Sequence, residues 1–151
     1  MMDGTMARAA DSSTAGTDLP AKVRRLRPLC ILLALRDRKF TRVTCFLLEQ
    51  RGYDVVQDRS TRVVEAAARV QPDIVVFEAE ASRGSSARIL AGLAALPGAP
   101  GVITIVEQEL HGSLLGVAAV AKWTPVDELA REIEAASLSR GRKIAREIPE
   151  P

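Results

Sequence analysis

The sequence has few aromatic residues, one histidine and no long apolar run, and each shortage excludes a class of protein. Aromatic residues make up 3% of the chain, so aliphatic side chains and alanine must fill the core. No apolar run reaches the roughly 18 residues of a membrane span, and no segment resembles a signal peptide. The lone His111 and the two cysteines, Cys30 and Cys45, lack the spacing of a metal or redox motif. We therefore expect a cytoplasmic protein with buried free thiols and no metal centre.

Composition and charge indicate one globular domain between two polar ends. Hydrophobic residues make up 47% of the 151 residues, which is enough for a core. The formal net charge of +2 is too small to indicate a nucleic-acid surface over the whole molecule. Residues 1–27, rich in small and polar residues and ending in a basic cluster, are predicted to be a disordered leader. Residues 28–138 are predicted to form the domain, and residues 139–151 a polar C-terminal tail.

Two periodicities alternate along the predicted domain. Short apolar runs rich in β-branched residues predict strands, and apolar residues at helical spacing predict helices between them. In the first helix these residues are Phe40, Val43, Leu47 and Leu48, which are predicted to face the core. This alternation is typical of a parallel sheet with right-handed crossovers and helices on both faces. We predict a flavodoxin-like (βα)5 doubly wound α/β fold with strand order 2-1-3-4-5. The predicted strands are 29–35, 53–56, a central strand within 71–78, 102–106 and 117–121; the helices are 38–50, 61–70, 86–96, a shortened fourth helix within 107–116, and 125–137.

The central strand ends on an acid, Glu78. Its short run of Ile, Val and Phe is typical of a strand that is buried on both faces of a parallel sheet. Open α/β folds bind their ligands at the carboxyl edge of the sheet, which is where this acid is expected to stand. Glu78 is therefore the first candidate functional residue.

Four short motifs and one lysine carry a family resemblance. They are Ile-Leu-Leu at 31–33, Glu-Gln-Arg-Gly-Tyr-Asp-Val-Val at 49–56, Gln-Pro-Asp-Ile-Val-Val at 71–76, Val-Ile-Thr-Ile at 102–105, and Lys122 ahead of the last helix. Together they resemble the receiver domains of two-component response regulators, over residues 30–138. The resemblance implies the flavodoxin-like fold and a role in phosphorelay signal transduction.

The resemblance also implies a phosphorylation site, from which this chain departs at most positions. Receivers accept a phosphoryl group on an Asp at the end of the third strand, and an acidic pair after the first strand helps bind Mg²⁺. A Thr or Ser ending the fourth strand and a Lys ending the fifth complete the site. Here the acidic-pair positions hold Leu35 and Arg36, with Asp37 next; the acceptor position holds Glu78, the hydroxyl position holds Val106, and Lys122 alone matches.

The residues around the last strand depart from the receiver pattern as well. Trp123 follows the lysine in place of a proline, and Ala119 stands where receivers often have an aromatic residue. The segment between Val106 and Lys122 is short, and so the fourth helix, part of the signalling face of many receivers, is shortened. Because Trp is enriched at interface hot spots, Trp123 and the nearby Ala119 are predicted as possible interface residues. Alternatively, Trp123 covers the gap beside the shortened helix.

These substitutions predict no cofactor, with Mg²⁺ binding weak or absent. Arg36 places a positive charge where the cation would lie, and Asp37 supplies one ligand at best. Glu78 is expected to pair with Lys122 or Arg36, either as a fixed switch or as a structural ion pair. We favour the structural pair for two reasons. Buried ion pairs add little or no stability in many proteins, and a carboxylate carries less negative charge than a phosphoryl group.

We therefore predict a stand-alone receiver-like domain that acts as a phosphorylation-independent protein-interaction module and is not an enzyme. Its expected partner is another signalling protein or a second copy of the chain, with no membrane and no nucleic acid. Two alternatives stay open. One is weak acceptance of a phosphoryl group on Glu78 or Asp37, and the other is nucleic-acid association through the basic tails.

Overall fold

The structure is a computed structural model that describes residues 27–58, 62–79, 83–107, 112–114 and 117–147. Residues 1–26 of the predicted leader lie outside these ranges. The strands are β1 (Cys30–Ala34), β2 (Asp54–Gln57), β3 (Ile74–Glu78), β4 (Gly101–Val106), β5 (Gly112–Leu114) and β6 (Val117–Ala121). The helices are α1 (Arg38–Gln50), α2 (Val63–Val70), α3 (Arg83–Ala94) and α4 (Val126–Glu147). None of these helices is both long and apolar enough to cross a membrane.

The described strands form one sheet in the order β2-β1-β3-β4-β6-β5. The five predicted strands, which are β1 to β4 and β6, pair in parallel, and this confirms the predicted order 2-1-3-4-5. At the centre, Val75 of β3 lies opposite Leu32 of β1 and Val102 of β4. Every residue of β3 is buried, as expected for a strand covered on both faces.

The prediction of a shortened fourth helix is wrong for the described part of its segment. Gly112–Leu114 forms strand β5, which pairs antiparallel with β6, while residues 108–111 and 115–116 lie outside the described ranges. Two glycines in the segment, Gly112 and Gly116, disfavour a helix. Pairing with β5 also satisfies the backbone groups along the outer edge of β6, which would otherwise be open to other strands.

The core consists of two apolar clusters, one on each face of the sheet. On one face, Ile31, Leu33 and Val76 pack under α1 and α4. On the other face, Leu32 and Phe77 pack under α2 and α3. Alternate residues of each strand therefore enter different clusters, which explains why the central strands are continuously apolar.

Helix α1 is rotated relative to its predicted inner face. Phe40 and Leu48 are buried as expected, but Val43 and Leu47 are 37% and 36% exposed. Thr41 is buried instead, and it can face the core because its hydroxyl donates to the carbonyl of Asp37, at 2.7 Å.

Two helix boundaries also differ from the sequence prediction. Helix α4 runs to Glu147, past Leu138, where the polar tail was predicted to begin. The polar part of this helix has a tertiary anchor, because the guanidinium of Arg140 bonds to the carbonyls of Gly98 and Ala99. Helix α3 begins at Arg83, three residues before its predicted start at 86.

Candidate functional site

The carboxyl edge of the sheet brings together the residues at the receiver-site positions. Leu35, Arg36 and Asp37 follow β1, Glu78 ends β3, Val106 ends β4, and Lys122 follows β6. Because these strands are parallel neighbours, their carboxyl ends meet at one edge. The fold therefore supplies the framework of a receiver site, and its chemistry depends on the side chains.

Glu78 is buried and fully engaged at this edge. Its residue surface is 7% exposed, and its Oε1 accepts a hydrogen bond from the backbone N–H of Arg36 at 3.0 Å. Its Oε2 lies 3.6 Å from Lys122 Nζ and 3.8 Å from Arg36 Nη2. The same guanidinium donates to the carbonyl of Ala79 at 3.1 Å. Both ion pairs foreseen for Glu78 are therefore present.

Lys122 lies among three carboxylates. Its Nζ is 3.0 Å from Asp37 Oδ2 and 3.6 Å from oxygens of both Glu78 and Glu107. The ammonium also lies 5.6 Å from the ring centroid of Phe40. The hydrogen bond to Asp37 raises the pKa of Lys122, although burial acts in the opposite direction. Lys122 is therefore a fixed positive charge near neutral pH.

Asp37 is the N-cap of α1 as well as a partner of Lys122. Its Oδ1 accepts from the backbone N–H of Phe40 at 3.1 Å, and its backbone is extended as an N-cap requires. The N–H of Phe40 and then the ammonium of Lys122 lower the pKa of this carboxyl. Both carboxylate oxygens are thus occupied by groups of the protein.

The remaining receiver positions are apolar. Leu35 is 2% exposed and Val106 is 5% exposed, so each is part of the core. Neither side chain can bind a cation or donate a hydrogen bond to a phosphoryl oxygen. Within the described ranges, no group of three His, Cys, Asp or Glu side chains is arranged to hold a metal ion.

A second charge cluster stands at the opposite, amino edge of the sheet, and the sequence reasoning missed it. Asp73 is 7% exposed, and its Oδ2 accepts from the backbone N–H of Cys30 at 2.8 Å. Its oxygens also accept from Nη1 of Arg27 and Nη1 of Arg140, each at 3.2 Å. The two arginines line a pocket of about 440 Å³ beside α2 and the loop after α3. The sequence signal that could have revealed this cluster is Asp73 itself, an acid placed directly before an apolar strand.

Trp123 occupies the surface beside α1. Its residue is 52% exposed, and its ring meets Phe40 edge-on with centroids 4.9 Å apart. It has a φ of +69°, in the left-handed region that a residue with a side chain rarely adopts. With Val43 and Leu47 it lines a shallow groove between α1 and α4. The contact described for Trp123 is therefore with Phe40 of α1, and the groove between α1 and α4 lies beside it.

Ala119, the other predicted interface residue, is not at the surface. It is 7% exposed and lies in β6, opposite Thr104 of β4 and Gly112 of β5. Its backbone is paired on both sides, and its small buried side chain offers little surface to a partner. Of the two Cys residues, Cys45 is buried and Cys30 is partly buried, and both are free.

Solved structures with similar folds include receiver domains of response regulators. No protein-family model matches the chain, and no curated protein matches it. A signal receiver domain from Vibrio parahaemolyticus is 17% identical, with a TM-score of 0.63 over 82% of this chain and 100% of that one. A CheY-like receiver domain protein from Methanospirillum hungatei JF-1 is 17% identical, with a TM-score of 0.61 over 77% and 98%. The pseudo-receiver domain of the CikA protein is 19% identical, with a TM-score of 0.52 over 72% and 96%.

Proposed function

We propose that this chain, which has the fold of response regulator receiver domains, is a pseudo-receiver. It acts in signal transduction by binding another protein, independently of phosphorylation. The observation that carries the proposal is the guanidinium of Arg36, which stands at an acidic-pair position with its Nη2 3.8 Å from Glu78 Oε2. A protein cation therefore stands at a position where receivers carry a carboxylate that helps bind Mg²⁺.

Weak or absent Mg²⁺ binding follows from this charge arrangement. Mg²⁺ needs several oxygen ligands in near-octahedral geometry and gives up its water reluctantly. At this edge Leu35 supplies no ligand, Asp37 is committed to Phe40 and Lys122, and the guanidinium of Arg36 lies next to Glu78. A divalent cation would have to displace two protein cations before it met a free carboxylate.

Phosphoryl transfer is disfavoured for a related reason. Glu78 is held by the amide of Arg36 and by Lys122, and Val106 provides no hydroxyl to contact a phosphoryl oxygen. The bound carboxylate imitates only part of the charge of a phosphoryl group, which carries about −1.5 to −2. The site is therefore proposed to have one state, without catalytic activity of its own.

Protein binding then rests on the exposed surface rather than on the edge of the sheet. The partner is proposed to be another signalling protein or a second copy of the chain. The support is the half-exposed Trp123 beside the groove formed with Val43 and Leu47. Exposed apolar patches of this kind mark sites of protein association.

The phosphorylation part of the proposal is tested by intact mass spectrometry. The full chain is incubated with acetyl phosphate and Mg²⁺ next to a working receiver as the reagent control. We expect a phosphoryl adduct on the control and none on this chain. An adduct that disappears in Glu78→Gln or Asp37→Asn would show that the chain accepts phosphate and would overturn the proposal.

A second experiment addresses the nucleic-acid alternative. Fluorescence anisotropy with a labelled non-specific DNA duplex is measured over a series of salt concentrations. We expect no salt-dependent binding to the DNA, because the net charge of the chain is small. Strong salt-dependent binding would favour a nucleic-acid role over the protein-interaction role.

A further inference from the structure

The outward side of α1 carries an apolar stripe with no cover among the described residues. Val43, Phe46 and Leu47 recur at helical spacing on one side of the helix and are 37%, 59% and 36% exposed. Trp123, also exposed, lies beside the N-terminal half of the same helix through its contact with Phe40. Single exposed apolar residues are ordinary, but a cluster of large ones on one face indicates an association surface.

The charges that flank this stripe are arranged with opposite signs at its two ends. Arg42 lies one turn before Phe46, and Glu49 lies about one turn after it, on the same side of the helix. Both side chains are exposed, and neither forms an ion pair with another described residue. The N-terminal half of α1 is otherwise basic, with Arg38 and Lys39 exposed as well.

We infer that this face of α1 binds a second copy of the chain, with the two α1 helices antiparallel about a two-fold axis near Phe46. In this arrangement the same patch meets itself, so Phe46 packs near the axis and Arg42 of each copy lies opposite Glu49 of the other. The C-terminal half of the second helix then extends over Trp123. The inference rests on the proposed protein-interaction function and names its partner.

The opposite charges favour a second copy over a partner with charges of one sign. A wholly acidic surface would pair with Arg42 but repel Glu49, whereas an antiparallel copy places each of these two residues opposite the other's charge. Arg38 and Lys39 lie outside this matched pair. The contact area is one helix face with its neighbouring groove, which is small for a protein interface. We therefore expect a reversible dimer whose population depends on concentration.

The apolar part of the inference is tested by sedimentation velocity on the full chain over a concentration series. The wild type is expected to shift from monomer to dimer as its concentration rises. Phe46→Glu is expected to weaken association by about 30-fold or more, as for a central interface residue. Because Phe46 is 59% exposed, the variant should keep its fold, which circular dichroism checks. Arg88→Glu, at an exposed position of α3 on the opposite face of the sheet, is the control and should dimerise like the wild type.

A charge exchange tests whether the partner is a second copy. Arg42→Glu and Glu49→Arg alone should each weaken dimerisation, because each places like charges opposite one another across the axis. The double variant Arg42→Glu/Glu49→Arg should recover it, because every copy then carries both exchanged charges. Recovery is not expected if these residues bind a different protein whose charges are unchanged.

Two results would overturn the inference. One is a wild type that stays monomeric at every concentration, and the other is a dimer that is unaffected by Phe46→Glu and by the charge exchange. Either result, together with an absence of phosphoryl adduct, leaves the proposed pseudo-receiver intact and rejects only the second copy as its partner. A phosphoryl adduct instead rejects the proposed function, whatever the oligomeric state.

Discussion

The two ends of β3 each carry one buried acid, and the two acids are held in comparable ways. Asp73 directly precedes the strand and Glu78 ends it, and each is 7% exposed. Each accepts one backbone N–H from the chain near β1, that of Cys30 or that of Arg36. Each also pairs with two cationic side chains from other parts of the chain. The carboxyl edge, where receivers carry out their chemistry, thus holds its buried acid in much the same way as the amino edge does.

The two clusters differ in how tightly they are closed. The three bonds of Asp73 measure 2.8 to 3.2 Å and join the segment before β1 to the last helix through Arg27 and Arg140. At Glu78 the charged contacts are longer, at 3.6 and 3.8 Å, and Lys122 divides its charge among three carboxylates. This difference indicates that Asp73 stabilises the fold by joining two distant parts of the chain. Glu78 belongs to a looser charge cluster, from which one side chain can be removed at a smaller loss of stability.

Removing the side chain of Asp73 is expected to cause the largest loss of stability. Asp73→Ala leaves the amide of Cys30 and the Nη1 of Arg140 without their acceptor, so we expect a loss of about 2–4 kcal/mol. Chemical denaturation followed by circular dichroism measures the change. Asp73→Asn, which keeps one oxygen acceptor, should lose less. A loss for Asp73→Ala smaller than that for Glu78→Ala would reverse the comparison.

Removing Glu78 is expected to cost about 1–2 kcal/mol, because Lys122 keeps Asp37 and Glu107 as partners. The same denaturation experiment measures it. Glu78→Gln retains an oxygen for the amide of Arg36 and should cost less than Glu78→Ala. The losses from Asp73→Ala and Glu78→Ala should add within about 0.5 kcal/mol, since the two clusters share no partner. A clear departure from additivity would mean that the two edges are coupled.

The pH dependence of stability should report on the carboxyl edge, through Asp37 and Lys122. The pKa of Asp37 is lowered on folding, so its contribution is complete above its ordinary value of 3.8 and is lost as pH falls through the folded value. The pKa of Lys122 is raised, so its contribution is complete below 10.5 and is lost as pH rises through the folded value. Both contributions are therefore present and constant near neutral pH.

Asp37→Asn isolates the acid limb of this profile. Asn is a good N-cap, so the variant keeps the cap of α1 and loses only the charge. Urea unfolding between pH 2 and pH 7 (about the range of carboxyl titration) should show a flatter acid limb for the variant. Parallel curves for variant and wild type would contradict the role assigned to the Asp37–Lys122 pair.

The smallest expected effect is a gain at the amino edge. Gln71 ends α2 with a φ of +56°, in the left-handed region where glycine is favoured. Gln71→Gly should raise stability by up to about 1 kcal/mol by relieving this strain. Thermal unfolding measures the change, with Gln71→Ala as the control, since alanine keeps the strain. A loss in the glycine variant would mean that the side chain of Gln71 contributes more than its backbone costs.

The strands and their order were predictable because apolar runs and helical spacing are local signals. Once the order was set, the topology alone brought Glu78 and Lys122 together at one edge. The Asp73–Arg140 contact was not predictable in this way, because the two residues lie 67 positions apart and Arg140 was assigned to the tail. The apolar periodicity of α4 ends before Arg140, because hydrogen bonds of Arg140, and not an apolar face, anchor this part of the helix.

Two further differences have local physical causes. Three residues, Gly112–Leu114, are too short a stretch to give a strand pattern, and β5 exists because it pairs with β6. For α1, the sequence shows which residues are apolar but not which side of the helix meets the sheet. Val43 and Leu47 were therefore placed inside, whereas Thr41 is buried in their stead.

An amide NMR titration of the full chain with Mg²⁺, followed by the phosphoryl mimic beryllofluoride, tests most directly whether the carboxyl edge is closed by its own charges. The peaks of Asp37, Glu78 and Lys122 and of their neighbours are followed through the concentrations that saturate a working receiver. The account predicts no saturable shifts, because the guanidinium of Arg36 lies beside Glu78 and the buried Leu35 and Val106 supply no group to a ligand. Saturable shifts centred on Glu78 would contradict it and would identify the chain as a working receiver.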